Sequence, residues 1–175
     1  MNRVNGLIKL KYLLYNMVEG ALSVDHFKWL NGVNPDKNKE FTGVEISNCQ
    51  EQDAIACNGT LTVWPWNNSA MAVYPSYEYK KFEPNVCLLK AHKDSVTDMK
   101  FNPFMDQMLG SSSKDGSVKL WMLGTEAPKD HNTQPVISLE GHSGAVLSFQ
   151  WHHLVSDMLA SVGSDKCVRV WDVQT

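Results

Sequence analysis

No two of the four cysteines, Cys49, Cys57, Cys87 and Cys167, form a CxxC pair. That spacing gives no zinc ribbon and no thioredoxin-like redox motif, and reduced thiols of a cytosolic chain are the default reading. The six histidines fall in no metal-ligand spacing. His152 and His153 are the tempting pair, but neighbours on a strand point to opposite faces, so one is expected inward and the other exposed. No phosphate-binding loop or catalytic motif is present, and no cofactor is expected. Lys and Arg are scattered, and the net charge is −3, which argues against nucleic acid as the principal ligand. Near the N-terminus Arg3 precedes an apolar stretch, but Lys9 and Lys11 interrupt it and Glu19 ends it well short of a membrane span. A secretory signal is therefore disfavoured, and the sequons Asn58-Gly59-Thr60 and Asn67-Asn68-Ser69 are read as turns.

What the chain does contain is one unit used twice. Leu89 to Trp121 aligns with Leu139 to Trp171 at a constant offset of 50, without a gap over 33 positions, nine of them identical. The identities are Leu89/Leu139, His92/His142, Val96/Val146, Met108/Met158, Leu109/Leu159, Ser111/Ser161, Asp115/Asp165, Val118/Val168 and Trp121/Trp171. With 43% hydrophobic residues and 20% charged, the composition is that of an ordinary globular chain with material for a core.

Short β-branched and aromatic runs separated by polar turns predict antiparallel strands rather than helices. Lys114-Asp115-Gly116 and Ser164-Asp165-Lys166 are placed in the tight turns between the last two strands of each copy. Each copy is expected to form one small sheet. Ala91-His92 and Gly141-His142, with Leu120-Trp121 and Trp171-Asp172, resemble the Gly-His and Trp-Asp marks of the WD (WD40) repeat, over residues 88–123 and 138–173. The second copy matches fully; the first has Ala91 for Gly and Met122 for Asp. The resemblance implies an all-β fold, the four-stranded blades of a β-propeller.

A narrower resemblance covers residues 41–175. Ala72-Val73-Tyr74-Pro75, then Val96-Thr97-Asp98 and Phe101-Asn102-Pro103-Phe104, are similar to the start of a coronin propeller, most like the long coronins that hold two propellers in tandem. The resemblance implies a partial propeller: a closing strand at Val44 to Ser47 and roughly three four-stranded blades. Further strands are expected at Asp53 to Asn58, Thr60 to Trp66 and Ser69 to Tyr74. A repeat array buries its apolar faces against neighbours. The chain is accordingly expected to be a fragment or short variant, or to need an oligomer or longer chain to complete the propeller. Residues 1–40 are expected to be an N-terminal extension: Leu7, Leu10, Leu14 and Met17 recur at helical spacing, and 31–40 is a polar linker.

His92, Ser111, Asp115 and Trp121, repeated as His142, Ser161, Asp165 and Trp171, invite a hydrolase reading through their His, Ser and Asp. Repetition argues against it, because a catalytic triad is needed once per protein and a blade-stabilising network once per blade. Ser113 and Ser164 are the alternative hydroxyls for that network. In the WD family this set is structural. Tyr77, Tyr79, Lys80 and Lys81 form an aromatic, charged stretch read as a candidate partner-contact surface. The coronin resemblance implies a non-catalytic protein-interaction role, with actin filaments as partner and a cytoplasmic, cytoskeletal or Golgi and vesicle setting. At the position where shorter coronins carry a basic residue tied to actin contact, this chain has Glu45. A general WD-repeat scaffold without actin binding is the alternative.

Overall fold

The computed structural model describes residues 55–76, 87–128 and 133–174. The expected N-terminal helix, the linker, the closing strand at 44–47 and the stretch 77–81 lie outside the described residues. Among the described residues there are eleven strands and no helix. Expected strands at 53–58, 60–66 and 69–74 are found as β1 (Ala56–Cys57), β2 (Leu61–Pro65) and β3 (Ala70–Pro75). The first repeat supplies β4 (Cys87–Lys90), β5 (Val96–Phe101), β6 (Met108–Ser113) and β7 (Ser117–Met122). The second supplies β8 (Ile137–Glu140), β9 (Val146–Trp151), β10 (Met158–Gly163) and β11 (Val168–Asp172).

These strands form three antiparallel sheets, ordered β1-β2-β3-β4, β5-β6-β7-β8 and β9-β10-β11. The expectation that each sequence copy is one sheet is therefore corrected. The first strand of each copy closes the preceding sheet: β4 pairs with β3 through Met71 and Leu89, and β8 pairs with β7 through Val118 and Leu139. This offset ties each repeat to its neighbour by backbone hydrogen bonds as well as by packing, so neighbouring sheets cannot part without breaking a strand pair or its connection.

Strand alternation sends successive side chains to opposite faces, and the second sheet uses both. Leu109 and Trp121 join Leu61, Val63, Met71, Val73 and Leu89 in a core shared with the first sheet. Met108, Val118 and Leu120 join Val146, Phe149, Trp151 and Leu159 in a core shared with the third. Each such fully buried aliphatic or aromatic side chain contributes about 1.5–3 kcal/mol by leaving water. Close approach fixes one glycine: a Cβ at Gly110 would lie 2.7 Å from the Phe149 ring.

Among the described residues positive backbone φ angles occur at Asn68 (φ 20°) in the β2–β3 turn, Gly116 (φ 87°) in β6–β7 and Lys166 (φ 63°) in β10–β11. Glycine meets this at no steric cost, whereas a lysine in the left-handed region is strained.

Because the sheets are antiparallel, their connections fall at two opposite ends. At one end lie β2–β3, β4–β5, β6–β7, β8–β9 and β10–β11, and backbone bonds join them across sheets: the His92 N–H donates to Ser69 O at 3.0 Å and the Val96 N–H to Asn68 O at 2.7 Å. At the other end, the Asn58 amide in the β1–β2 turn donates to Asp106 O in the β5–β6 turn at 2.6 Å, and the Asn102 amide donates to Ser156 O in the β9–β10 turn at 3.2 Å.

Candidate functional site

The structure brings His92, Ser111, Asp115 and Trp121 into one hydrogen-bonded chain. The Trp121 indole N–H donates to Ser111 Oγ at 2.9 Å, and His92 Nε2 lies 2.8 Å from the same oxygen. His92 Nδ1 meets Asp115 Oδ2 at 3.0 Å, and the Lys93 N–H donates to that oxygen at 3.0 Å. Asp115 Oδ1 accepts from the Ser117 hydroxyl at 2.6 Å and the Ser117 N–H at 3.0 Å. A carboxylate only accepts, so the neutral histidine carries its proton on Nδ1 and Nε2 accepts from the serine, whose lone pair takes the tryptophan N–H. Every member is satisfied, the condition under which a buried polar network stabilises rather than costs.

The second copy repeats the pattern. His142 Nδ1 lies 2.9 Å from Asp165, His142 Nε2 lies 2.9 Å from Ser161 Oγ, and the Trp171 indole donates to that oxygen at 2.8 Å. The Ser143 and Cys167 N–H groups donate to Asp165 at 3.2 and 3.1 Å. The hydroxyls that meet the histidines are thus those of Ser111 and Ser161. Ser113 Oγ donates instead to Asp94 O at 3.1 Å, and Ser164 is exposed. Burial pushes the Asp115 carboxyl up, but His92, Ser117 and the Lys93 N–H outweigh it and hold the group well below the usual carboxylate range. The same balance, with His142, Cys167 and Ser143 as donors, lowers Asp165.

In outline Ser111, His92 and Asp115 have the contacts of a hydrolytic triad. Ser111 is 0% exposed, however, and its oxygen is already held by Trp121, which leaves no approach for a substrate carbonyl. His152 and His153 are both exposed, against the expectation of one inward. They follow β9 rather than lying on it, and His152 Nδ1 accepts from the Leu154 and Val155 N–H groups at 3.1 and 3.0 Å as a turn cap. Among the described residues, no group of three or more His, Cys, Asp or Glu could hold a metal ion, and no helix is long and apolar enough to cross a membrane.

Sequence reasoning missed two features. Asp98, buried on β5, accepts at one oxygen from Lys100 at 2.6 Å and from the Ser148 hydroxyl of β9 at 2.7 Å, while Lys100 also donates to Phe149 O at 2.8 Å. This bridge crosses two repeats, and single-copy patterning carries no signal of it. The second is charge. Though scattered along the sequence, the described basic residues gather in space: Lys90, Lys93, Lys114, Lys119, Lys166 and Arg169 lie at or beside the end formed by the β4–β5, β6–β7 and β10–β11 connections. Among the described basic residues only Lys100 lies elsewhere, engaged with Asp98. Residues far apart in sequence meet there because alternate connections of an antiparallel sheet share an end.

The repeats, their offset sheets and their recurring networks define a WD40-repeat segment of a β-propeller. The family described as WD domain, G-beta repeat, matches residues 84–122 and 133–172. The chain is 27% identical over 159 residues to the coronin-like protein crn1 of Schizosaccharomyces pombe, covering 85% of this chain and 26% of that protein. It is 30% identical over 163 residues to the coronin-like protein of Saccharomyces cerevisiae, covering 85% and 25%. To human Coronin-7 it is 34% identical over 80 residues, covering 46% and 9%. Among solved structures it resembles the WD40 domain of Toxoplasma gondii coronin, with a TM-score of 0.70 and 26% identity over 77% of this chain and 36% of that one. Over most of its length the chain is similar to coronins, and it spans about a quarter of the length of the yeast relatives it matches.

Proposed function

We propose that the chain is a non-catalytic protein-interaction segment whose basic end docks an acidic partner surface, with actin filaments as that partner in a cytoplasmic, cytoskeletal setting. The observation that carries this reading is the gathering of basic side chains at one end. Lys90, Lys93, Lys114 and Lys166 are exposed there and outnumber the exposed acids Asp94 and Glu140, because Asp115 and Asp165 are turned onto His92 and His142. Gathered positive charge steers association with an acidic surface and fixes its orientation. The coronin relatives support actin as the partner class. The two His-Ser-Asp-Trp networks serve as struts that hold the turns bearing these lysines, a role fitting their recurrence and burial. Residues 1–40 are an extension outside this unit.

Filament co-sedimentation tests the proposal. The chain is expected to pellet with filaments at low salt and to be released as salt rises, because exposed charges are screened within about 8–10 Å at physiological ionic strength. Lys114→Glu with Lys166→Glu should abolish pelleting without changing the unfolding midpoint. Absence of pelleting at low salt would contradict the actin reading and leave a general WD-repeat scaffold, which a pull-down sensitive to the same two substitutions would identify.

A further inference from the structure

The end opposite the lysines has a different chemistry. The β5–β6 and β9–β10 turns present Phe104, Met105, Leu154 and Val155, with Leu154 85% exposed, and these are the same two positions of each repeat, 50 residues apart. Met122 and Val136, at the β7–β8 connection on that end, are exposed as well. By contrast, the connections at the basic end contain no exposed large apolar residue among the described residues. Exposed carboxylates flank the apolar row: Asp106 and Asp157 within the turns, Glu126 in the β7–β8 connection, and Asp172 at the end of β11. No exposed Lys or Arg accompanies them among the described residues.

The turns that carry the row are held firmly. Asn102 Oδ1 accepts from the Phe104 and Met105 N–H groups at 2.8 and 3.1 Å, and its amide reaches across to Ser156 O, which sets the two turns side by side. His152 caps the second turn in the same manner. Apolar side chains displayed from a fixed backbone lose little freedom on binding, which is how preorganisation raises affinity.

From this juxtaposition of an apolar row and a carboxylate rim we infer a second docking surface, one that takes a Lys/Arg-rich amphipathic segment of a partner protein. Complementary charge selects a basic partner, and the same carboxylates repel anionic lipid. Packed sheets lie about 10 Å apart, close to two turns of an α-helix with its 5.4 Å pitch. A helix with apolar residues seven apart therefore sets one beside Phe104 and the next beside Leu154, with its basic residues over Asp106 and Asp157.

A fluorescein-labelled helical Lys/Leu peptide of about fourteen residues, two heptads long, titrated with the full chain and followed by fluorescence anisotropy, tests this. Leu154→Ser is expected to weaken binding about tenfold, the loss from no longer burying one leucine. Asp106→Asn with Asp157→Asn should weaken it about fivefold and flatten its salt dependence. Leu147→Ser, an exposed apolar position on β9 away from these turns, should change nothing. Lys114→Glu with Lys166→Glu should also leave peptide binding intact, which separates this surface from the basic end. No measurable binding, equal binding of the Glu/Leu counterpart, or indifference to Leu154→Ser would each overturn the proposal. So would association with phosphatidylserine vesicles that Leu154→Ser removes, because that would assign the surface to a membrane.

Discussion

The second and third sheets are built from the two copies of one repeat, yet they are buried very differently. Val118 on β7 is 0% exposed and Val168, its identical partner on β11, is 71% exposed. Leu120 is fully buried, while Val170 in the matching position is 65% exposed. Trp121 is buried and Trp171 only partly so. The hydrogen-bond networks match within a few tenths of an ångström, so local structure is not what differs. β7 lies between β6 and β8 and faces the third sheet, whereas β11 pairs only with β10 among the described residues. A repeat therefore encodes its own strands and network, while its neighbours supply its burial.

The largest difference is expected at the tryptophans. Trp121→Ala leaves a cavity in the shared core and deprives Ser111 of its donor, and should cost about 3–5 kcal/mol in denaturant unfolding. Trp171→Ala should cost clearly less, and equal losses would break the comparison. Next comes the bridge between the two sheets. Asp98→Ala removes the shared acceptor of Lys100 and the Ser148 hydroxyl, leaving Lys100 only Phe149 O, and is expected to cost about 1.5–3 kcal/mol, the range for hydrogen bonds to charged groups. The corresponding position of the second repeat, Ser148, is itself a partner of Asp98, so its substitution should not add to that loss in a double-mutant cycle. Val118→Ala should cost about 2 kcal/mol by lost burial, and Val168→Ala should stay within about 0.5 kcal/mol, as for an exposed site.

The smallest effect is acid sensitivity. Asp115 has a folded pKa below its unfolded value near 3.9. Its stabilisation is therefore present above about pH 4 and lost as pH falls through the folded value. Asp115→Asn should flatten the fall of the unfolding midpoint below about pH 4, and an unchanged acid limb would contradict the linkage.

How much of this was legible in the sequence follows the same division. The repeat, its strands and the turns around Asp115 and Asp165 could be read because they are local and occur twice. The network residues were legible as a recurring set, Ser111 and Ser161 among them because they coincide at the 50-residue offset, whereas Ser113 falls opposite Gly163 and Ser164 opposite Lys114. The sheet boundary was misplaced because β4 and β8 pair backward, and periodicity gives no register between distant strands. His152 was misjudged as a strand residue when it caps a turn. The separation of Lys114 and Lys166 from Asp106 and Asp157 was invisible along the chain, for it arises only when alternate connections collect at opposite ends.

Amide hydrogen exchange resolved to single residues tests the central claim most directly, by comparing Val118 with Val168 and Leu120 with Val170. If neighbours supply the burial, the β7 amides will be protected to near the global unfolding free energy and the β11 amides will exchange by much smaller openings. Equal protection at the paired positions would mean that each repeat carries its own stability, and would contradict the account.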